Sequence, residues 1–252
     1  MTPATSLRTR QLSKTFNGTT VVSNVDFEMK VGARQALIGP NGAGKTTFIN
    51  LLTGNLPPTS GAIWVNERDV TPLPAHERVK AGLARTFQIN ALLSELSVIE
   101  HVQLAVAERM GVGATMFGGR ARKRETAEIA YDILESLKLQ AAATLPIAQL
   151  SYGRQRLVEI AIALALQPSV LLLDEPAAGV PPADSHAVFE LIERLPSDVS
   201  VLFIEHDMKL VSRFARHISV LVAGQIVVEG TPQEIASNSF VRDIYLGHRH
   251  HA

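Results

Sequence analysis

Apolar and polar positions alternate along the first part of the chain and again near its end. The alternation over residues 7–14 and 20–30 predicts two antiparallel strands that are joined at the turn Asn17-Gly18. Residues 217–230 repeat this pattern and predict a second hairpin around Ala223-Gly224.

Three short stretches lack this alternation and are typical of buried strands in a parallel sheet. These stretches are residues 34–38, 170–173 and 199–204. Apolar residues at helical spacing follow the first stretch at 45–54 and the second at 183–195. Strands that alternate with helices predict an α/β fold with a parallel sheet.

Between these segments the chain has the pattern of a mostly helical lobe inserted into the α/β core. Residues 95–139 carry apolar side chains at helical spacing on either side of a glycine-rich connection at 111–119. The two apolar faces are Val98, Val102, Ala105 and Val106, and Ile129, Ile133, Leu134 and Leu137. A basic run at 120–124 is interpreted either as a solvated helix start or as a contact with lipid headgroups or a partner.

Composition limits the classes of protein that fit this pattern. The chain has 252 residues, of which 46% are apolar, enough for one large domain or for a core with a lobe. Its 24 basic and 24 acidic residues balance, whereas a nucleic-acid-binding protein usually has a basic excess. The absence of cysteine excludes disulfides and cysteine metal sites. We expect no signal peptide and no membrane span of its own, so that a membrane role requires a partner.

Residues 39–47, Gly-Pro-Asn-Gly-Ala-Gly-Lys-Thr-Thr, match the phosphate-loop pattern G-x-x-x-x-G-K-[ST] between a predicted strand and a predicted helix. Glycines permit a tight turn close to an anion, and the amides at the helix start converge on phosphates. Lys45 supplies a positive charge for the β- and γ-phosphates, and the Thr46 hydroxyl suits Mg²⁺. The predicted nucleotide-binding residues of the loop are Asn41, Gly42, Ala43, Gly44, Lys45, Thr46 and Thr47.

Polar residues follow two of the buried strands, at the edge where ligands bind in open α/β sheets. Asp174 and Glu175 come directly after 170–173. An aspartate there can hold Mg²⁺ and a neighbouring glutamate can act as a general base, although solvated strand ends are the alternative. His206 follows 199–204 and is either incidental or a contact for the γ-phosphate.

Phe16, beside the first hairpin turn, is a candidate platform for a nucleobase, since base–aromatic stacking contributes about 1–3 kcal/mol. Its alternative role is that of an ordinary core or hairpin aromatic.

Residues 150–153, Leu-Ser-Tyr-Gly, open a further predicted helix that runs to about Leu166. Ser151 is a credible N-cap, and Arg154 lies in the first turn. The amides at this helix start suit an anion.

Together these motifs resemble the ATP-binding subunit of ABC transporters over almost the whole chain. The phosphate loop, Gln88, residues 150–153, the Asp-Glu pair and His206 occur in the family's order and approximate spacing. The resemblance implies a P-loop NTPase (RecA-like) α/β core with an antiparallel β-subdomain and an inserted α-helical subdomain. It divides one ABC ATPase domain, 1–252, into a core with the β-subdomain at 1–92 and 157–230, a helical subdomain at 93–156 and a helical tail at 231–252.

The resemblance also implies roles for individual residues. It assigns Gln88 to Mg²⁺ and to coupling with the membrane subunit, and Ser151 and Gly153 to the γ-phosphate of the nucleotide held by the opposite protomer. Phe16 takes the place of the adenine-stacking aromatic. The implied catalytic residues are Glu175 (the base), His206 and Lys45, and the implied Mg²⁺ ligands are Thr46, Gln88 and Asp174.

Finer features look like the branched-chain amino-acid uptake group, to which the urea and short-chain amide importers are close. The segments that carry this likeness are 82–88, 97–100, 176–179, 205–208 and 245–247. Arg154 stands where the signature usually has glutamine, and Ala178-Gly179-Val180 replaces a more general Ala-Leu-Asp, which is usual for the subgroup.

The function implied is that of an ATP-hydrolysing importer subunit with ATP and Mg²⁺ as cofactors. Its expected partners are membrane permeases, a second identical or paralogous ATP-binding subunit and, indirectly, a solute-binding protein, but no nucleic acid. The expected location is the cytoplasmic face of the inner or plasma membrane of a bacterial-type cell. The alternatives are a lipopolysaccharide-type exporter subunit, a soluble ABC ATPase of DNA repair or translation, and a regulatory module without turnover.

Overall fold

The computed structural model describes residues 4–86, 92–112 and 120–246, and the chain divides into two units. The first unit consists of Met1–Leu83, Ser169–Pro176 and Leu195–Ala252, and the second of Ala84–Pro168 and Ala177–Arg194. Gln88 lies outside the described residues. The domain boundaries predicted from the motifs stay a prediction.

Ten strands occur in the described residues, and seven of them lie close to the segments that the hydrophobic pattern predicts. In chain order they are β1 (Thr5–Phe16), β2 (Thr19–Lys30), β3 (Arg34–Ile38), β4 (Ser60–Val65), β5 (Arg68–Asp69), β6 (Leu83–Arg85), β7 (Val170–Asp174), β8 (Ser200–Ile204), β9 (His217–Val222) and β10 (Gln225–Gly230).

The alternating N-terminal segments form the predicted hairpin and, with two later strands, an antiparallel sheet in the order β2-β1-β4-β5. Asn17 and Gly18 both have positive φ, 47° and 82°, as a tight hairpin turn requires. Phe16 pairs with Thr19 at the closed end of the hairpin. The sequence prediction is confirmed for this sheet.

A second sheet has the strand order β10-β9-β3-β8-β7-β6 and supplies the edge at which the site lies. Strands β9, β3, β8 and β7 run parallel to one another, whereas β10 returns antiparallel to β9. Ile204, the last residue of β8, pairs with Leu37 of β3 and with Asp174 of β7. The carboxyl ends of these three strands therefore lie side by side.

The helices of the first unit are α1 (Lys45–Thr53), α2 (Ala75–Lys80), α7 (Met208–Phe214), α8 (Pro232–Ser237) and α9 (Ser239–Leu246). The second unit contributes α3 (Val98–Arg109), α4 (Arg120–Ser136), α5 (Tyr152–Ala165) and α6 (Pro182–Glu193). None of the helices in the described ranges is long and apolar enough to span a bilayer.

Helix α1 is fixed at its C-terminal end by Arg78, whose side chain is almost fully buried. The Arg78 guanidinium donates from Nη1 to the carbonyl oxygens of Leu51 (2.6 Å) and Leu52 (2.8 Å). The Leu51 carbonyl also accepts from the amide of Gly54 at 3.3 Å. Because the last carbonyls of a helix lack their usual i+4 partners, Arg78 helps to satisfy groups that burial would otherwise penalise. On the core side of α1, Phe48 meets Phe27 edge to face, with ring centroids 5.7 Å apart.

In the second unit, α3 begins at a capping box in which Ser97 and Glu100 satisfy each other's backbone amides. The basic run begins α4, where residues 121–125 are exposed and Arg124 pairs with Glu128 at 2.8 Å. The run is thus a solvated helix start, and its contact with lipid or a partner stays a prediction.

Candidate functional site

The phosphate-loop residues connect the end of β3 to the start of α1, as the sequence predicts. Gly44 occupies the N-cap position of α1 with φ 101°, a left-handed conformation that favours glycine. The amides at the start of α1 have no side-chain cap. A helix start of this kind attracts anions.

A cavity of about 270 Å³ lies over this loop and the ends of β7 and β8. Its lining consists of Val21, Asn41, Gly42, Ala43, Gly44, Lys45, Thr46, Thr47, Asp174, Glu175, Ile204 and His206. All of these residues belong to the first unit. The structure thus brings together the loop, the two acids and the histidine that the sequence singled out separately.

Two lining residues, Val21 and Ile204, were missed by sequence reasoning. Val21 is an ordinary member of the alternation in β2, and Ile204 is the last residue of an apolar run. Only their positions in the sequence could have indicated that they line the cavity. Ile204 directly precedes the polar strand end, and Val21 follows the hairpin turn beside Phe16. Phe16 itself is 41% exposed at the end of β1 and is not part of the cavity lining in the described structure.

Lys45 is held against its own loop. Its buried Nζ donates to the carbonyl oxygens of Gly39 at 2.7 Å and Pro40 at 3.0 Å. Burial lowers the pKa of Lys45, and the carboxylates of Glu175 and Asp174 oppose this effect. A cation that burial leaves poorly solvated gains from the arrival of an anion, so this position suits a phosphate.

Asp174 and Glu175 stand at the end of β7, and the backbone of Glu175 is unusual. Glu175 has φ 48°, a left-handed conformation that is costly for a residue with a side chain. Its amide donates to the carbonyl oxygen of Ile204 at 3.1 Å, which ties this conformation to the end of β8. Backbone strain of this kind is concentrated at functional sites.

His206 reaches Glu175 from the neighbouring strand end. Its Nε2 lies 2.8 Å from Oε1 of Glu175, and both side chains are about half exposed. The contact gives both residues a defined orientation at the mouth of the cavity. An incidental solvated histidine is therefore the less favoured interpretation.

Ser151 and Gly153 lie at the start of α5 in the second unit. Ser151 occupies the N-cap position, as predicted, but its exposed hydroxyl makes no capping hydrogen bond. The helix start also has no acidic side chain in its first turn. Neither residue contributes to the described cavity lining. An exposed, uncapped helix start is a suitable surface for an anion from another molecule.

Further along α5, Arg156 and Glu159 form a buried ion pair, with Nη1 of Arg156 2.6 Å from Oε2 of Glu159. Burial raises the pKa of Glu159, and the partner arginine only partly offsets this effect.

Comparison with known proteins agrees with this geometry. The family model described as ABC transporter matches residues 22–178. The high-affinity branched-chain amino acid transport ATP-binding protein LivG of Salmonella typhimurium is 39% identical over 241 residues, which are 92% of this chain and 94% of that protein. The lipopolysaccharide export system ATP-binding protein LptB of Acidithiobacillus ferridurans is 34% identical over 242 residues, 96% of each chain.

Among solved structures, the ADP conformation of an ATP-binding cassette from an ABC transporter superposes with a TM-score of 0.84 at 31% identity. The similarity covers 96% of this chain and 99% of that one. Fold, order of motifs and sequence identity lead to the same result: this chain belongs to the ABC transporter family of ATP-binding cassettes.

Proposed function

We propose that this chain is the ATP-binding and ATP-hydrolysing subunit of an ABC importer that energises uptake of branched-chain amino acids or related small solutes. The observation that carries the proposal is the cavity in which the phosphate loop meets Asp174, Glu175 and His206. The near full-length similarity to a branched-chain amino acid transport protein supports the choice of solute class.

The triphosphate would lie over the phosphate loop. The amides from about Gly42 to Thr46 face an anion there, and the N-terminus of α1 adds its positive end. Lys45 would exchange its contacts with Gly39 and Pro40 for the β- and γ-phosphates. Phe16 and Val21 are the proposed contacts on the base side.

The residues present fit a magnesium ion that accompanies the nucleotide. Thr46 and Asp174 line the same cavity and offer a hydroxyl and a carboxylate oxygen, ligand types that Mg²⁺ prefers alongside phosphate and water. Gln88 is the third proposed ligand and lies outside the described residues. When bound, the ion neutralises charge on the β- and γ-phosphates.

Hydrolysis requires a base, which we assign to Glu175. A water oxygen attacks the γ-phosphorus, the bond to the β–γ bridging oxygen breaks, and Glu175 accepts the proton of the water. The products are ADP and inorganic phosphate. His206, which contacts Glu175, would orient that carboxylate and meet the γ-phosphate.

Two ATP-binding subunits are proposed to work as a pair. Ser151 and Gly153 of one chain would complete the cavity of the other, since they belong to the second unit and do not line this chain's own cavity. The pair would act on membrane permeases from the cytoplasmic face of a bacterial-type inner membrane. A solute-binding protein would deliver the solute to the permeases.

A different transporter is the second candidate. The 34% identity to a lipopolysaccharide export protein supports an exporter, although the identity to the branched-chain amino acid protein is higher, at 39%. A urea or short-chain amide importer differs only in the solute.

Two measurements test the proposal in order. Purified protein with Mg²⁺ should convert ATP to ADP and phosphate, and failure to bind ATP would overturn the enzymatic part. Vesicles that contain this chain together with its membrane permeases should then accumulate labelled leucine, isoleucine or valine only with ATP inside and binding protein outside. Uptake of urea or short-chain amides instead, or outward movement of lipopolysaccharide, would select the alternative.

A further inference from the structure

The turn Ala223-Gly224, which joins β9 to β10, lies against the phosphate loop although it is distant from the loop in sequence. Both residues have positive φ, 47° and 80°, as expected of a two-residue hairpin turn. The amide of Gly224 donates to the carbonyl oxygen of Ala43 at 2.9 Å. The turn therefore holds a residue that lies inside the phosphate loop.

The same glycine is also bonded to β2. The carbonyl oxygen of Gly224 accepts from the amide of Ser23 at 2.9 Å. One residue thus connects the phosphate loop on one side with β2 on the other. Val21, two residues before Ser23, lines the cavity, and the strand leads back to the hairpin turn that carries Phe16.

The turn Ala223-Gly224, the phosphate loop and β2 are in backbone-to-backbone contact, with no room for a side chain between them. A Cβ on Gly224 would lie 2.3 Å from the carbonyl oxygen of Val21 and 3.2 Å from Cα of Val22. A Cβ on Gly44 would lie 2.8 Å from the same Val21 oxygen. Because the neighbouring atoms are backbone, a rotamer change relieves neither clash. A side chain at 224 must therefore push the turn away from β2, and the phosphate loop is bonded to that turn through Ala43.

We propose that Gly224 is a positioning residue that sets the distance between the phosphate loop and β2. In this role it fixes the spacing between the groups that hold the triphosphate and the base-side contacts Val21 and Phe16. The inference rests on the proposed binding of ATP. A nucleotide spans both groups and senses their spacing, whereas an inorganic triphosphate contacts the phosphate loop alone.

The test compares Gly224→Ala with Gly111→Ala. Gly111 has a similar left-handed φ of 67°, but a Cβ there meets no atom within 4 Å, so this control carries the backbone strain without the clash. Titration calorimetry with Mg²⁺ measures the dissociation constants of ATP and of inorganic tripolyphosphate. Phe16→Ala is the comparator for loss of a base contact.

We expect Gly224→Ala to weaken the binding of ATP about tenfold, which corresponds to the loss of a base contact within the range of stacking energies. The binding of tripolyphosphate should weaken by less than about threefold. Phe16→Ala should likewise weaken the binding of ATP more than that of tripolyphosphate. The fold loss of ATP affinity in the double variant should be smaller than the product of the two single losses. Gly111→Ala should bind both ligands with dissociation constants within about twofold of wild type. This is a free-energy difference below about 0.5 kcal/mol, since a tenfold change in the dissociation constant corresponds to about 1.4 kcal/mol.

Two results would overturn the inference. Either Gly224→Ala matches Gly111→Ala for ATP, or it weakens tripolyphosphate as strongly as ATP. If Gly224→Ala does not fold, one glycine inserted between Ala223 and Gly224 displaces both hydrogen bonds without adding a side chain and carries the same expectations. Failure of the wild-type chain to bind either ligand would instead refute the proposed function.

Discussion

Nε2 of His206 and Oε1 of Glu175 lie 2.8 Å apart, and this contact joins the ends of two neighbouring parallel strands. Glu175 is held from a second direction by its amide, which donates to Ile204, the last residue of the strand that precedes His206. The position of the proposed base therefore depends on β8 as much as on its own strand. This relationship suggests how each side chain should respond to substitution.

Replacement of Glu175 with glutamine should leave ATP binding near the wild-type level and lower turnover by about 10²–10⁴-fold. Glutamine keeps the shape of the side chain and an oxygen for His206, but it cannot accept the proton of the attacking water. Titration of ATP and a phosphate-release assay measure the two quantities. Glu193→Gln, the same chemical change at an exposed position of α6, should turn over like the wild type. A turnover of Glu175→Gln within about twofold of wild type would remove Glu175 from the base role.

Lys45→Met should separate the stability of the empty protein from its response to nucleotide. Burial lowers the pKa of Lys45 below the unfolded value of about 10.4, so at neutral pH the folded state carries a penalty for the charged ammonium. The penalty is present at pH values below the pKa of Lys45 in the folded state. It disappears as the pH rises from that pKa towards the pKa of lysine in the unfolded state. Methionine removes the penalty, so the nucleotide-free variant should unfold at or above the wild-type temperature at pH 7.5, and this advantage should shrink at high pH.

The nucleotide response of Lys45→Met completes this prediction. ATP at about 100 times its dissociation constant stabilises a binding-competent protein by about 2.7 kcal/mol, and the variant should lose most of this shift. Thermal denaturation with and without Mg-ATP measures both effects. A large loss of stability without nucleotide would show that the hydrogen bonds to Gly39 and Pro40 outweigh the burial penalty.

How much the sequence predicts depends on whether a feature is local. The strands, the phosphate loop and the acids at the end of β7 follow from short patterns, because each depends on neighbouring residues. The turn at Gly224 was predicted, but its contact with Ala43 and the contact of Val21 with Gly44 could not be found in this way, since nothing near these residues in sequence shows them. The left-handed backbone of Glu175 was equally invisible, because an amide bond to a distant strand maintains it. Ser151 was placed correctly as an N-cap, but the missing capping bond emerged only from the structure.

Tyr152 and Gly179 form a second close approach, within the second unit. A Cβ on Gly179 would lie 2.9 Å from Cε1 and 3.0 Å from Cζ of the Tyr152 ring, so Gly179→Ala should turn the ring away from its place beside Ser151. We expect Gly179→Ala to lose more ATPase activity than the control Gly111→Ala. The two positions have similar backbone strain, with φ of 72° and 67°, but a Cβ at Gly111 meets no atom within 4 Å. Tyr152→Ala should show the same loss.

A double-mutant cycle tests the contact between these two residues. In the Tyr152→Ala background the excess effect of Gly179→Ala should vanish, which corresponds to a coupling of at least about 0.5 kcal/mol, or about twofold in rate. Strictly additive effects on turnover would mean that the contact plays no part in activity.

A mixture of two inactive proteins, Lys45→Met and Ser151→Arg, tests whether the site is shared between chains. Lys45 lines the cavity of the first unit, whereas Ser151 lies on the exposed start of α5 in the second unit. The arginine blocks the anion-binding surface sterically and leaves the cavity of its own chain intact. If Ser151 completes the partner's site, one composite site of a mixed dimer carries both defects and the other carries none. If Ser151 acts within its own chain, every site carries one defect.

Random pairing makes about half of the dimers mixed, each with one intact site out of two, so independent sites should restore about a quarter of wild-type activity. Each protein alone should stay inactive, and mixed wild-type and Lys45→Met chains provide the calibration for a dimer with a single working site. Crosslinking of differently tagged chains measures how many mixed dimers form. Mixed dimers in the expected number without restored ATPase activity would exclude a site shared between Lys45 and Ser151. Restored activity from two inactive proteins would show that ATP is hydrolysed between two chains, because neither chain alone then contains both functional halves of the site.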